Sequence, residues 1–165
     1  MSKNLKIALT FTLLLCTIFS LCSCMRPALN LEKAADKLED EGYYVGYDDE
    51  ASDSNPAFKE TLVAYSEDDY IYIVKLNHSK AANLYYEQLQ MEQDYKIDSL
   101  KLEIETLKFE IKKYGDEYDD DVLEAMENKL EDLEEELKEY KEEYRIGKSG
   151  KTVWEGTKTA IKDSK

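Results

Sequence analysis

Residues 97–144 read IDSLKLEIETLKFEIKKYGDEYDDDVLEAMENKLEDLEEELKEYKEEY. Ile97, Leu100, Ile104, Leu107, Ile111 and Tyr114 advance in alternating steps of three and four, the rhythm of a heptad seam. Gly115-Asp116-Glu117 breaks it, and Met126, Leu130, Leu133, Leu137, Tyr140 and Tyr144 take it up again. Two seams of equal phase across a short polar loop predict an antiparallel helical hairpin, because neither stripe stays dry without the other. Glu and Lys crowd the outer positions, with pairs such as Glu134 and Lys138 at the i,i+4 spacing that supports a solvated helix face. At about 1.5 Å per residue, arms of roughly 25 residues reach about 40 Å.

On the N-terminal side the periodicity differs. Leu31, Ala34, Ala35 and Leu38 have one-sided helical spacing, with Asn30 as N-cap and Gly42 just past the end. Tyr43 to Tyr47 alternates as a strand, and Asp48 to Pro56 is a polar loop. Lys59 to Ser66 and Tyr70 to Leu76 then predict two strands that pair as a hairpin across Glu67-Asp68-Asp69. Asn77-His78-Ser79 opens the long helix, and the chain returns through Gly147 and Gly150 to a strand at Thr152 to Glu155 and a helix begun at Thr157. The expected fold is α+β: a small sheet of three to four mostly antiparallel strands with helices on one face, and the coiled-coil hairpin inserted before the last strand. Residues 31–90 and 146–165 form the core, and residues 91–145 the hairpin.

At the start of the chain, Lys3 and Lys6 precede an apolar run from Ile7 to Leu21 that ends at Leu21-Cys22-Ser23-Cys24. A basic start, an apolar core and small residues before a cut site are the parts of a secretory signal. The run is shorter than the ~20 apolar residues a spanning helix needs. Leu21, Ser23 and Cys24 resemble the lipobox of bacterial lipoproteins, with Cys22 a mild departure from the usual pattern. The resemblance implies cleavage between Ser23 and Cys24, a diacylglyceryl group on the Cys24 thiol and a short linker over residues 24–30. The Gly42-Tyr43 and Gly156-Thr157 junctions further resemble small uncharacterised lipoproteins of low-GC Gram-positive bacteria. That resemblance implies an address on the extracytoplasmic face of the cell membrane, and transfers no active residue.

Cysteine usage and charge narrow the function. Cys16 and Cys22 would leave with the signal and Cys24 would carry lipid, so no thiol chemistry, disulfide or cysteine-held metal is expected in the mature part. Loss of Lys3 and Lys6 would make the formal net charge of −15 more negative still, which repels nucleic acid. Arg145, Lys148, Lys151, Lys158, Lys162 and Lys165 form the one basic cluster, read as packing beside the acidic helices, or alternatively as a contact for anionic headgroups or wall polymer.

No cofactor is expected. His78 is the only histidine and sits at a helix start, and the chain has no nucleophile-elbow pattern. Carboxylates are too numerous for their spacing to single out a pair, and a mature chain this small, with much of its length in a hairpin, has little material for the cleft across which a glycoside hydrolase holds two of them. Asp49, Asp53 and Glu60 fall at positions 1, 5 and 12 of a calcium-loop frame, but Ala51 and Ser54 occupy positions that need a ligand and a glycine. Tyr70, Tyr72 and Val74 point to the sheet face opposite Ile71 and Ile73, and Tyr43, Tyr47 and Trp154 could join them there. Such an aromatic face suits a cell-wall glycan or small ligand. The leading expectation is a non-catalytic, lipid-anchored protein-interaction or scaffolding module whose partner is another envelope protein. The glycan-binding module is the alternative, and an envelope hydrolase the least favoured.

Overall fold

The computed structural model describes residues 26–53 and 55–165. Ser23 and Cys24, the expected cleavage and lipidation residues, lie outside them. Helix α1 (Leu31–Asp40) begins where the Asn30 side chain accepts a hydrogen bond from the Lys33 amide at 3.1 Å. It ends in a Schellman motif, with the Gly42 amide donating to Glu39 and the Tyr43 amide to Leu38 while Gly42 takes φ +91°. That motif turns the chain directly into β1 (Tyr44–Asp48). Strands β2 (Phe58–Tyr65) and β3 (Tyr70–Leu76) form the expected hairpin.

Helix α2 (Ser79–Tyr114) is continuous from core to arm tip, where a 3₁₀ turn leads into α3 (Asp120–Glu143). Strands β4 (Tyr144–Ser149) and β5 (Thr152–Thr157) follow, then α4 (Lys158–Asp163). All pairings are antiparallel, in the order β1-β2-β3-β5-β4. The sheet thus has five strands instead of three to four, and the arm precedes the last two strands instead of the last. The additional strand is β4, whose short Tyr144-Arg145-Ile146 alternation is hidden because Tyr144 also continues the α3 heptad. Gly150, at φ +62° with no positive φ at Lys151, makes the two-residue type II′ turn that folds β5 back along it.

Helices pack on both faces, not one, although the second is left exposed at Tyr44, Val63 and Tyr65. On the first, Leu62, Ala64, Ile71, Ile73 and Trp154 pack against Leu31, Ala34, Ala35 and Leu38 of α1 and Ala160 and Ile161 of α4. On the second, Val74, Leu76 and Val153 pack against Ala82 and Leu89 of α2, with Tyr72, Tyr85, Phe58 and Ile146 around them. A third cluster lies in the arm, where Leu100 and Ile104 meet Leu133, flanked by Leu107, Leu130 and Leu137 as the heptad reading requires. Lys96 to Glu136 at 2.7 Å, Lys129 to Glu103 at 3.0 Å, and Lys108 to Glu134 tie the two arms along their edges.

Close approach makes two glycines necessary. A Cβ on Gly147 would lie 2.3 Å from the Trp154 ring, which covers it from β5. At Gly156, with φ +153°, a Cβ would lie 2.4 Å from the Tyr70 carbonyl oxygen and 2.8 Å from the Ile71 Cα, backbone atoms with little room to move. Gly156→Ala should therefore cost about 2 kcal/mol, the range for overpacking plus a strained φ, read as a lower urea midpoint at unchanged slope. Replacing residues 92–142 by a short turn should remove much of the helical far-UV signal yet preserve the near-UV signal of Trp154. Loss of that near-UV signal would contradict the separation of the arm cluster from the two core clusters.

Candidate functional site

The residues expected to share an aromatic face are divided between two. Tyr47 pairs in register with Leu62, Ile73 and Trp154, and so belongs to the face under α1 and α4. Trp154 is buried there, as is Tyr43, whose hydroxyl donates to Asp163 at 3.1 Å. Burial and that bond push the Tyr43 phenol well above its ordinary value. Tyr70 and Tyr72 lie on the other face, with Tyr72 half-buried beside α2. A single surface of Tyr43, Tyr47, Tyr70, Tyr72 and Trp154 is thus ruled out by strand register.

Cross-strand pairing builds a different aromatic row. Tyr44 pairs with Tyr65 and Tyr65 with Tyr70, placing three exposed tyrosines side by side beyond the reach of α2. The Tyr44 and Tyr65 rings stack with centroids 5.5 Å apart. Tyr144 continues the row, its ring 6.2 Å from Tyr70 and 4.7 Å from Tyr140 of α3. Sequence reasoning missed Tyr44 and Tyr65, although their positions beside the turns at both strand ends mark them as cross-strand neighbours.

A recess of about 510 Å³ opens beside Tyr70, Tyr140 and Tyr144 at the base of the arm, ringed by Asp68, Asp69, Glu139 and Glu143. The Tyr144 hydroxyl donates to Glu155, and Thr157 donates to Asp69 at 2.6 Å while capping α4. Burial, reinforced by Glu155, pushes the Tyr70 phenol up to about 12. Burial and the bond to Glu155 raise Tyr144 further, and burial raises Tyr140. Neutral phenols against carboxylates form a hydrogen-bonding surface. His78 occupies the N-cap of α2 without a side-chain capping bond, and β3 separates it from this recess by about 20 Å.

The basic cluster is largely engaged within the protein. Arg145 donates to the carbonyls of Lys141, Glu142 and Tyr144 at 2.6–2.9 Å, satisfying the C-terminal end of α3. Lys148 donates to Asn83, Lys151 to the Asn77 carbonyl at 2.8 Å, and Lys158 meets Glu143 at 3.5 Å. Glu60, the last position of the calcium-like frame, is held by Lys75 at 2.8 Å and Lys59 at 3.2 Å. Burial alone would raise its carboxyl, but these ammoniums hold it below the ordinary value. Among the described residues no group of three or more acidic, histidine or cysteine side chains could hold a metal ion, and no helix is long and apolar enough to cross a membrane.

A second feature runs along the arm. Leu84, Met91, Tyr95, Leu102 and Phe109 succeed one another on α2 at steps of seven, four, seven and seven, and each is more than half exposed. At 100° per residue this stripe lies diametrically opposite the Ile97, Leu100, Ile104 and Leu107 seam that α3 covers. Two shallow recesses, of about 450 and 410 Å³, flank Phe109 and Leu102 and share Thr106 and Glu110. Lys113 lies 5.3 Å above the Phe109 ring. In the sequence the stripe is masked because Gln88, Asp98 and Glu105 interrupt it, whereas the inner seam is uninterrupted.

No protein-family model, curated protein or solved structure matches this chain. Two outcomes test the tyrosine recess. Tyr144→Phe should cost about 1–3 kcal/mol by leaving half-buried Glu155 without its donor, measured by urea denaturation at neutral pH. In the parent, phenol pKa values raised above the unfolded value of 10.0 keep protons that the unfolded chain releases. Stability should therefore be intact below pH 10 and fall as pH rises from there toward about 12 and beyond. Tyrosinate absorbance that rises in one step at pH 10 before unfolding would contradict this.

Proposed function

We propose that the chain is a lipid-anchored extracytoplasmic surface protein acting as a non-catalytic protein-interaction or scaffolding module. The observation that carries the reading is the Leu84 to Phe109 stripe, five large apolar side chains on one solvent-facing side of α2. Exposed apolar side chains on one helix face favour association even where Gln88, Asp98 and Glu105 lie between them, because each Å² of apolar surface removed from water contributes about 25 cal/mol. One flank carries Glu87, Asp94, Lys101 and Lys108 and the other Glu92, Ser99, Thr106 and Lys113, so polar side chains border the stripe on both sides. A diacylglyceryl group on Cys24 would hold the core close to the membrane, since only residues 25–30 separate it from α1, and the arm would extend about 36 Å from the core. The net charge of the chain argues against nucleic acid as a partner.

The second reading, a module for cell-wall glycan, is favoured by the stacked Tyr44 and Tyr65 pair with Tyr70 beside it. Flat exposed rings of this kind suit the apolar faces of sugar rings.

Crosslinking and affinity capture from intact cells should recover a partner with the parent and lose it with Leu102→Glu/Phe109→Glu. Unchanged capture would sink the arm reading, and sedimentation with isolated wall polymer lost in Tyr44→Ala/Tyr65→Ala would support the glycan reading in its place. Cys24→Ala should abolish labelling by a fatty-acid analogue and release the protein from the membrane, whereas Cys22→Ala should leave both intact.

A further inference from the structure

We infer that the partner of the arm is a second copy of this chain, joined through the outer stripes of two α2 helices running antiparallel. This rests on the interaction reading and names its partner. With Tyr95, Leu102 and Phe109 at heptad position a, Leu84 and Met91 fall at d. Antiparallel packing then sets a against d of the partner helix. A two-fold axis midway between residues 96 and 97 puts Leu84 against Phe109 of the other copy and Met91 against Leu102, each pair occurring twice. Tyr95 faces Asp98, and Gln88 faces Glu105, so a phenol and an amide supply hydrogen-bond donors to the two carboxylates within the seam. Polar layers of this type fix register at some cost in stability.

Charge complementarity selects this arrangement. The g positions beside the stripe carry Glu87, Asp94, Lys101 and Lys108, two acids followed by two bases. In the register set by the apolar layers, Glu87 meets Lys108 of the other copy and Asp94 meets Lys101, giving four attractive contacts across the dimer. Moving one helix by a heptad in either direction brings Lys101 against Lys101 or Asp94 against Asp94. Parallel pairing is worse, because it sets Asp98 against Asp98 and Glu105 against Glu105 in the seam and Glu87 beside Glu92 at its edge. Within one protomer Lys101 already pairs with Asp98 and Lys108 with Glu134, but both ammonium-bearing side chains remain about half exposed, which leaves room for a further carboxylate. The acidic net charge opposes self-association at long range, and physiological salt screens that repulsion beyond about 8 Å while close pairs persist.

The test uses the full chain in non-ionic detergent, with mass measured by sedimentation. The parent should be a dimer. Asp94→Lys alone and Lys101→Glu alone each turn two attractive contacts into repulsive ones, and each should weaken the dimer about tenfold or more. The double swap Asp94→Lys/Lys101→Glu, and an equimolar mixture of the two single variants, should both restore parental affinity. Restoration separates register pairing from damage to the fold, since neither variant can repair misfolding in the other. A monomeric parent, or single variants that dimerise as the parent does, would overturn the proposal. If the monomeric parent still captures another protein through Leu102 and Phe109, self-pairing fails while the interaction reading stands.

Discussion

The architecture depends on the seating of the first turns of α2 on the sheet. Ala82 and Leu89 close over Val74, Leu76 and Val153, and because α2 is one uninterrupted helix, that contact also determines where the arm points. A break between residues 90 and 97 would leave the arm hinged; none occurs. The arm is thus a rigid continuation of a core element, and its return through α3 delivers Tyr144 and Arg145 to the sheet edge, where β4 begins.

The three apolar clusters divide the molecule by task. Cluster one joins α1 and α4 to the sheet, cluster two joins α2 to the opposite face, and cluster three closes the arm. The largest exposed apolar groups outside these clusters gather on two surfaces. Among the described residues no buried side-chain polar atom lacks a hydrogen-bond partner. Against that background, the apolar stripe on one side of α2 and the exposed Tyr44 and Tyr65 rings at one end of the sheet are surfaces the protomer leaves open. They lie on different elements and suit different chemistries, the first a helix with matching periodicity and the second a flat ring or apolar plane.

The basic C-terminal segment shows how a charge pattern can be absorbed locally. The Arg145 guanidinium fills the end of α3, where exposed carbonyls concentrate partial negative charge. Lys148 donates to the Asn83 side chain of α2 and Lys151 to the Asn77 carbonyl just before that helix. The same segment that returns the chain from the arm therefore also neutralises the helix it leaves.

The sequence by itself determined the α+β class, the four strands β1, β2, β3 and β5 and the arm, because each rests on a local period: two for strands, three and four for the seam. Glycine and cap positions at Asn30, Gly42 and Gly150 likewise act through nearest neighbours. What needed the tertiary structure was the assignment of faces. Whether Trp154 joins Tyr70 or opposes it depends on strand register, and a shift of one residue reverses the answer. The fifth strand depended on where α3 stops, which Tyr144 conceals by serving both the heptad and β4. The exposed stripe of α2 could be counted in the sequence, but only packing decided which of its two heptads α3 would cover.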